Sequence, residues 1–357
     1  MKVLKKITLA QFRNYSSAGF SFPGRITCIS GPNGSGKTNL LDAIYYLCYT
    51  KSYFSAYQQN SAQNGTDGFR VSGEFDCTGT DEVITCKWQQ GKKEVSANQV
   101  EYEKVTDHIG KYAAVMIAPD DLELVNGGSE ERRKWVDSIL CQTDKAYMES
   151  LVQYQRVLLQ RNAWLKQESL KPKGDFTELE YYDNRLVTDG TYIYQCREAF
   201  LQKLMPLLDK FYHELSQGRE ELKVVYKTHM HGDNMANLLK KSLQHDLQMQ
   251  RTLKGIHRDD WDFSLNGLPL KQFASQGQKK SYLFALKLAQ YSYLETAQNN
   301  MPMLLLDDIF EKLDVNRIKA LLNIIKSPAF GQVFLTDTDK NRVAEAFGEG
   351  MVAFIEV

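Results

Sequence analysis

Three short stretches of this chain carry residue types that do chemistry together. The first is Gly31-Pro32-Asn33-Gly34-Ser35-Gly36-Lys37-Thr38, with the spacing G-x-x-x-x-G-K-[ST]. It lies between a β-branched apolar run, 25–30, and a helical pattern opening at Lys37, the context this spacing requires. Glycines let the backbone curl so that successive N–H groups face inward, and the helix adds the positive end of its dipole. Such a cradle fits the oxygens of a polyphosphate. Lys37 is placed to reach β- and γ-phosphates, and the Thr38 hydroxyl to ligate Mg2+.

The second stretch is Met303–Leu306, four apolar residues followed by Asp307 and Asp308. That pattern predicts a central parallel strand delivering carboxylates at the ligand-binding edge of a sheet. Asp307 is expected to hold Mg2+, directly or through water, and Asp308 to polarise an attacking water. Alone, an acid at a strand end is more often an ordinary loop residue. The third stretch, Ser275-Gln276-Gly277-Gln278, opens a helical pattern over 278–297. Ser275 reads either as the cap of that helix or as a ligand to an anion bound at its mouth.

The elements that must position these residues are partly legible. The first third reads as strands and turns around one strong helix, with 69–100 forming an antiparallel meander. From about Ser129 to Gly218 the spacing turns helical: Tyr147, Leu151, Tyr154, Leu158 and Leu165 on one run, then Leu186, Ile193, Phe200 and Leu207 at sevens. Lys171-Pro172-Lys173-Gly174-Asp175 separates them, which predicts a hairpin of two long helices with a packed seam; a partner-binding coiled coil is the alternative. Strands then return, with Asn266-Gly267 marking a tight hairpin. Helix, strand, helix and strand follow at 278–297, 303–307, 315–326 and 331–336. The fold class expected is α/β, a P-loop ATPase head in two halves, 1–118 and 221–357, interrupted by a mainly helical lobe, 119–220.

Composition sets limits without choosing a function. Lys+Arg and Asp+Glu balance at 44 each, so a nucleic-acid partner would have to use a local basic patch. Six dispersed cysteines form no Cys-x-x-Cys pair, which argues against a zinc or disulfide framework. No stretch resembles a signal peptide or a membrane span, and a cytoplasmic location is expected.

The order of the three motifs resembles the ATP-binding-cassette head of SMC-type ATPases, with Ser275–Gln278 at the signature loop, although Gln276 stands where a second glycine is usual. Further segments, "FRNY" (12–15), "APDDLELVNGGSEERRKWVD" (118–137), "LLQRNAWL" (158–165) and "GIHRDD" (255–260), are similar to those of the bacterial RecF family. The resemblance implies ATP as the nucleotide, with Gly31 to Thr38, Arg13, Ser275, Gly277 and Gln278 around it. It implies that the signature loop closes over ATP bound by a second copy, giving an ATP-dependent homodimer with weak, DNA-dependent ATPase activity in which Lys37 and Asp308 are catalytic. It also implies binding to single- and double-stranded DNA at gaps, cooperation with RecR and RecO, recombinase loading and induction of the DNA-damage response.

Carried over by position, Asn33 and Ser35 lie inside the phosphate loop and Asp314 in the loop that crosses between heads. Asp120 or Asp121 stands where the cassette has glutamine, and Asp337 and Thr338 where it has histidine. Both departures fit a slow switch. For His257, Arg258 and Asp259 the expectation is a structural ion pair. Candidate DNA-phosphate contacts are Lys51, Arg132, Arg133, Lys134, Arg161, Lys279 and Lys280. A phosphotransferase and a nucleotide-dependent scaffold are the competing functions.

Overall fold

In the computed structural model the described residues are 2–171, 174–216, 220–311, 315–348 and 350–357. The chain divides into two compact units, one of Met1–Leu122, Lys210–Arg219 and Ser275–Val357, the other of Glu123–Asp209 and Glu220–Ala274. The first is built on two sheets. Five parallel strands run in the order Ala353–Glu356, Ile26–Ser30, Val333–Asp337, Met303–Leu306, Ala114–Ile117. Six antiparallel strands run in the order Tyr15–Ser21, Lys2–Phe12, Gly68–Cys77, Asp81–Gln89, Lys92–Ala97, Val100–Glu101.

The helix Lys37–Tyr49 explains how the two sheets share one core. Every residue from Leu40 to Tyr49 is buried, as suits a helix enclosed by packing on all sides of that stretch. Leu40, Leu41, Ile44 and Leu47 are fully buried with Leu4, Ile7, Leu9 and Phe12 of the antiparallel sheet and Leu305 and Phe334 of the parallel one. Gly73 makes the close fit possible, since a Cβ there would meet Leu47 Cδ1 at 2.5 Å.

The second unit contains the expected helical hairpin. Helix Lys145–Leu170 buries Tyr147, Leu151, Tyr154, Val157 and Leu165, and helix Thr177–Ser216 buries Leu186, Ile193 and Phe200. Beyond Phe200 the seam moves to Leu204 and Leu208 in place of Leu207, because 3.6 residues per turn drifts against a repeat of seven. Leu222–Lys227, Asp260–Leu265 and Leu268–Pro269 form a small antiparallel sheet. Asn266 and Gly267 turn between its last two strands with φ of 50° and 76°, as the dipeptide predicts.

Residues 221–274 thus count with the helical unit, where the sequence placed them in the second half of the ATPase lobe. Ion pairs bind them there. Arg132 on helix Ser129–Thr143 grips Asp260 at 2.6 and 3.1 Å, and Arg197 reaches Asp259 at 2.9 Å.

Candidate nucleotide site

The phosphate loop connects strand Ile26–Ser30 to helix Lys37–Tyr49. Gly34 and Gly36 take φ of +81° and +119°, conformations open to glycine alone at low cost. A Cβ on Gly31 would lie 2.3 Å from the Val357 carbonyl oxygen, and one on Gly36 2.5 Å from Asn14 Nδ2. The loop therefore needs glycine for space as well as for backbone freedom. Asn14 and Tyr15 brace it, donating to the carbonyls of Ser35 at 2.9 Å and Gly36 at 3.1 Å.

The buried Lys37 ammonium donates to the Gly31 and Pro32 carbonyls, both at 2.9 Å, and so arches over the loop it closes. Ser35 Oγ is buried and has no hydrogen-bond partner among the described residues. Thr38 Oγ1 lies 3.0 and 3.1 Å from the two carboxylate oxygens of Asp307, at the end of strand Met303–Leu306. The two residues, 269 positions apart in the sequence, are thus brought together by the fold. Burial pushes the Asp307 carboxyl above its usual range, which hydrogen bonds from Thr336 and Thr38 oppose. A divalent cation there would favour the carboxylate form.

Thr336 is a residue that sequence reasoning did not select. Its hydroxyl donates to Asp307 at 2.8 Å and accepts from the Asp308 N–H at 2.9 Å, so one side chain sets both acids. Asp308 itself has a left-handed backbone, φ +49°, which its short polar side chain tolerates.

Ser275 caps helix Gln276–Gln298 in a reciprocal box. Its Oγ accepts from the Gln278 N–H at 3.2 Å, and its own N–H donates to Gln278 Oε1 at 2.6 Å. Capping uses the oxygen and leaves the hydroxyl proton to donate. Ser275 and Gln276 are exposed, and a Cβ on Gly277 would strike Arg317 Nη1 at 2.5 Å. The Arg317 guanidinium therefore lies directly against the signature backbone, a neighbour the motif alone does not reveal.

Other sites resolve differently from expectation. The Arg13 guanidinium binds Asp42 at 2.8 Å, Ser52 Oγ at 2.8 Å and the Asn60 carbonyl at 2.9 Å, tying the first hairpin to the phosphate-loop helix. Asp121 is committed to the Ala118 N–H, Tyr53 and Lys287, which leaves Asp120 of the two acids expected there. Asp337 is held by Arg342 at 2.7 and 2.9 Å. Asp314 lies outside the described residues.

Among the DNA candidates two need correction. Arg161 is fully buried between Asp183 at 2.6 Å and Asp246 at 2.8 Å, and Arg132 is buried on Asp260; neither offers its charge to a surface phosphate. Arg133 donates to the Asp259 carbonyl at 2.7 Å. Lys134 is exposed beside Glu130 and Glu131, and Lys51 is exposed. The ion pair expected of "GIHRDD" is present as Asp259–Arg197. His257 instead makes neutral contacts, Nδ1 with the Tyr154 hydroxyl at 2.8 Å and Nε2 with the Thr252 carbonyl at 3.1 Å, and burial lowers its pKa to about 4.

Comparison with known proteins agrees with this geometry. Residues 3–355 match the family described as the RecF/RecN/SMC N terminal domain. A protein from Flavobacterium johnsoniae named "DNA replication and repair protein RecF" is 39% identical over 340 residues, 95% of each chain. The chain belongs to the RecF family. Two solved structures, described as "the recombination mediator protein RecF-ATPrS in RecFOR pathway" and its RecF-ATP counterpart, share the fold. The first has a TM-score of 0.88 at 29% identity, covering 100% of this chain and 96% of that one. The second has a TM-score of 0.87 at 31% identity, covering 95% and 92%. The RecF family consists of DNA replication and repair proteins, and its head is of the ATP-binding-cassette, SMC-like type.

Proposed function

We propose that this RecF-family chain is an ATP-gated DNA clamp. ATP sits on Gly31 to Thr38, and the Ser275–Gln278 loop of a second copy completes the site. The observation that carries the reading is the meeting of Thr38 and Asp307 beside Lys37, half of an ATP site built within one chain. Lys37 would turn from its two carbonyls to the β- and γ-phosphates. Thr38 and Asp307 would hold magnesium, which would supply charge neutralisation at the phosphates. Asn33 and Ser35 would add loop contacts, and Arg13 would reach a phosphate only by giving up its present partners. Asp308 would orient and deprotonate water, and Ser275, Gly277 and Gln278 would donate to the γ-phosphate from the partner copy.

Hydrolysis then opens the dimer, slowly and with dependence on DNA. DNA would be held through backbone phosphates, Lys51 among the contacts, at gaps between single and double strands. The solved relatives are described as recombination mediators in the RecFOR pathway, which supports RecR and RecO as partners in recombinase loading and the damage response.

Light scattering with and without ATP and Mg2+, paired with a DNA gel shift, tests this. The clamp dimerises on ATP and then retards DNA. A chain that stays monomeric is a phosphotransferase, and one that dimerises without shifting DNA is a scaffold. Asp308→Asn should give a dimer that outlives the wild-type one by about two orders of magnitude while binding ATP normally. Loss of ATP binding in that variant would sink the role given to Asp308.

A further inference from the structure

Lys287 lies in the middle of the signature helix, twelve residues beyond Ser275 and so about 18 Å along the axis. Its side chain is buried. The ammonium donates to the Tyr53 hydroxyl at 2.8 Å and pairs with Asp121 at 3.2 Å. Tyr53 in turn donates to the other oxygen of Asp121, whose carboxylate also accepts from the Ala118 N–H at 2.7 Å. The three polar groups satisfy one another with no surplus charge.

This cluster has a second anchor. The Tyr53 backbone N–H donates to Asp42 at 2.7 Å, and the Ser52 hydroxyl does so at 2.8 Å. Asp42 is fully buried on the phosphate-loop helix, five residues beyond Lys37. A continuous run of hydrogen bonds therefore leads from the helix that begins at the phosphates, through Tyr53 and Asp121, to the helix that presents Ser275. Both ends stand on rigid elements, and neither touches the phosphate loop or the signature loop directly.

We infer that Lys287 is a positioning residue for the ATP-dependent dimer: through Asp121 and Tyr53 it fixes where the signature loop stands relative to the phosphate loop of the same chain. Dimerisation sets two such loops against two nucleotides at once, so an error in that spacing is met twice. ATP binding by one chain needs only the phosphate loop and is left alone. Lys287 thus acts on the second step and leaves the first. The inference rests on the dimer proposed above.

The test uses the full chain, with affinity for a fluorescent ATP analogue and ATP-dependent dimerisation measured separately. Lys287→Met should keep analogue affinity within about twofold and weaken dimerisation about ten- to a hundredfold, the range of a typical coupling between sites. Lys287→Arg, which keeps the charge, should recover most of the loss. Tyr53→Phe keeps the ring and removes only the hydroxyl, so it reports even where Lys287→Met folds poorly; it should weaken dimerisation alone. If Lys287→Met and Tyr53→Phe dimerise like wild type, the inference is overturned. It is equally overturned if analogue affinity falls in step with dimerisation, the mark of general damage. A wild-type chain that stays monomeric in saturating ATP and Mg2+ overturns the dimer itself.

Discussion

Arg161 offers a decisive perturbation, because its surface reading and its buried position predict opposite results. Its guanidinium is fully buried and makes three contacts: Asp183 at 2.6 Å, Asp246 at 2.8 Å and Thr252 Oγ1 at 2.8 Å. Arg161→Met keeps much of the volume and strands two carboxylates, one of them fully buried. Removing one partner of a buried pair costs about 3–5 kcal/mol, and the second carboxylate puts this site toward the upper end. Part of the cost is recoverable by protonation. Burial already raises the Asp183 pKa, and loss of the arginine raises it further. A carboxyl with a raised folded pKa binds more protons folded than unfolded, so the variant regains stability as pH falls through that raised pKa.

Urea unfolding followed by tryptophan fluorescence measures this. Trp135, Trp164 and Trp261 lie in the helical unit and Trp88 in the other, so the signal reports mainly the affected part. DNA affinity of the folded variant should match wild type, with the same salt slope. A variant of unchanged stability whose salt slope falls by about one charge would refute the argument and return Arg161 to the DNA surface.

Other outcomes follow from the same contacts. Gly36→Ala should abolish ATP binding and cost about 1–3 kcal/mol of stability, since φ of +119° and Asn14 at 2.5 Å both oppose a methyl group; calorimetry checks both. Thr336→Val should lower ATP turnover at least tenfold while leaving the fold intact, because it removes the one hydroxyl shared by Asp307 and Asp308; steady-state phosphate release reads it. His257, neutral when folded with a pKa of about 4, should cost stability as pH drops from 6.5 to 4, to a limit of about 3 kcal/mol. His257→Gln should flatten that part of the stability profile in urea titrations at stepped pH.

How much of this the sequence disclosed depends on how local the cause was. The phosphate loop, its flanking strand and helix, and the Asn266-Gly267 hairpin follow from adjacent residues, and they stand where expected. The Thr38–Asp307 contact was legible through motif order, which substitutes for distance along the chain. Thr336, Asp42, Arg317 and Lys287 were not legible, because each owes its importance to a partner brought in by the fold. Arg161 misled for a related reason: arginine is usually exposed, and Asp183, Asp246 and Thr252 lie 22, 85 and 91 positions away. The closing strand Ala353–Glu356 escaped notice too, being short and half-exposed at the edge of its sheet.

The phosphate-loop helix, packed between two sheets, has a consequence for how such a machine must move. An element enclosed on all sides can neither tilt nor slide without tearing open the densest part of the molecule. The jaw that would hold the triphosphate in the proposed dimer is therefore the stationary one. In the dimer proposed above, movement after the terminal phosphate leaves would then be travel of one whole head past the other, carrying its exposed tip at Ser275 and Gln276 with it.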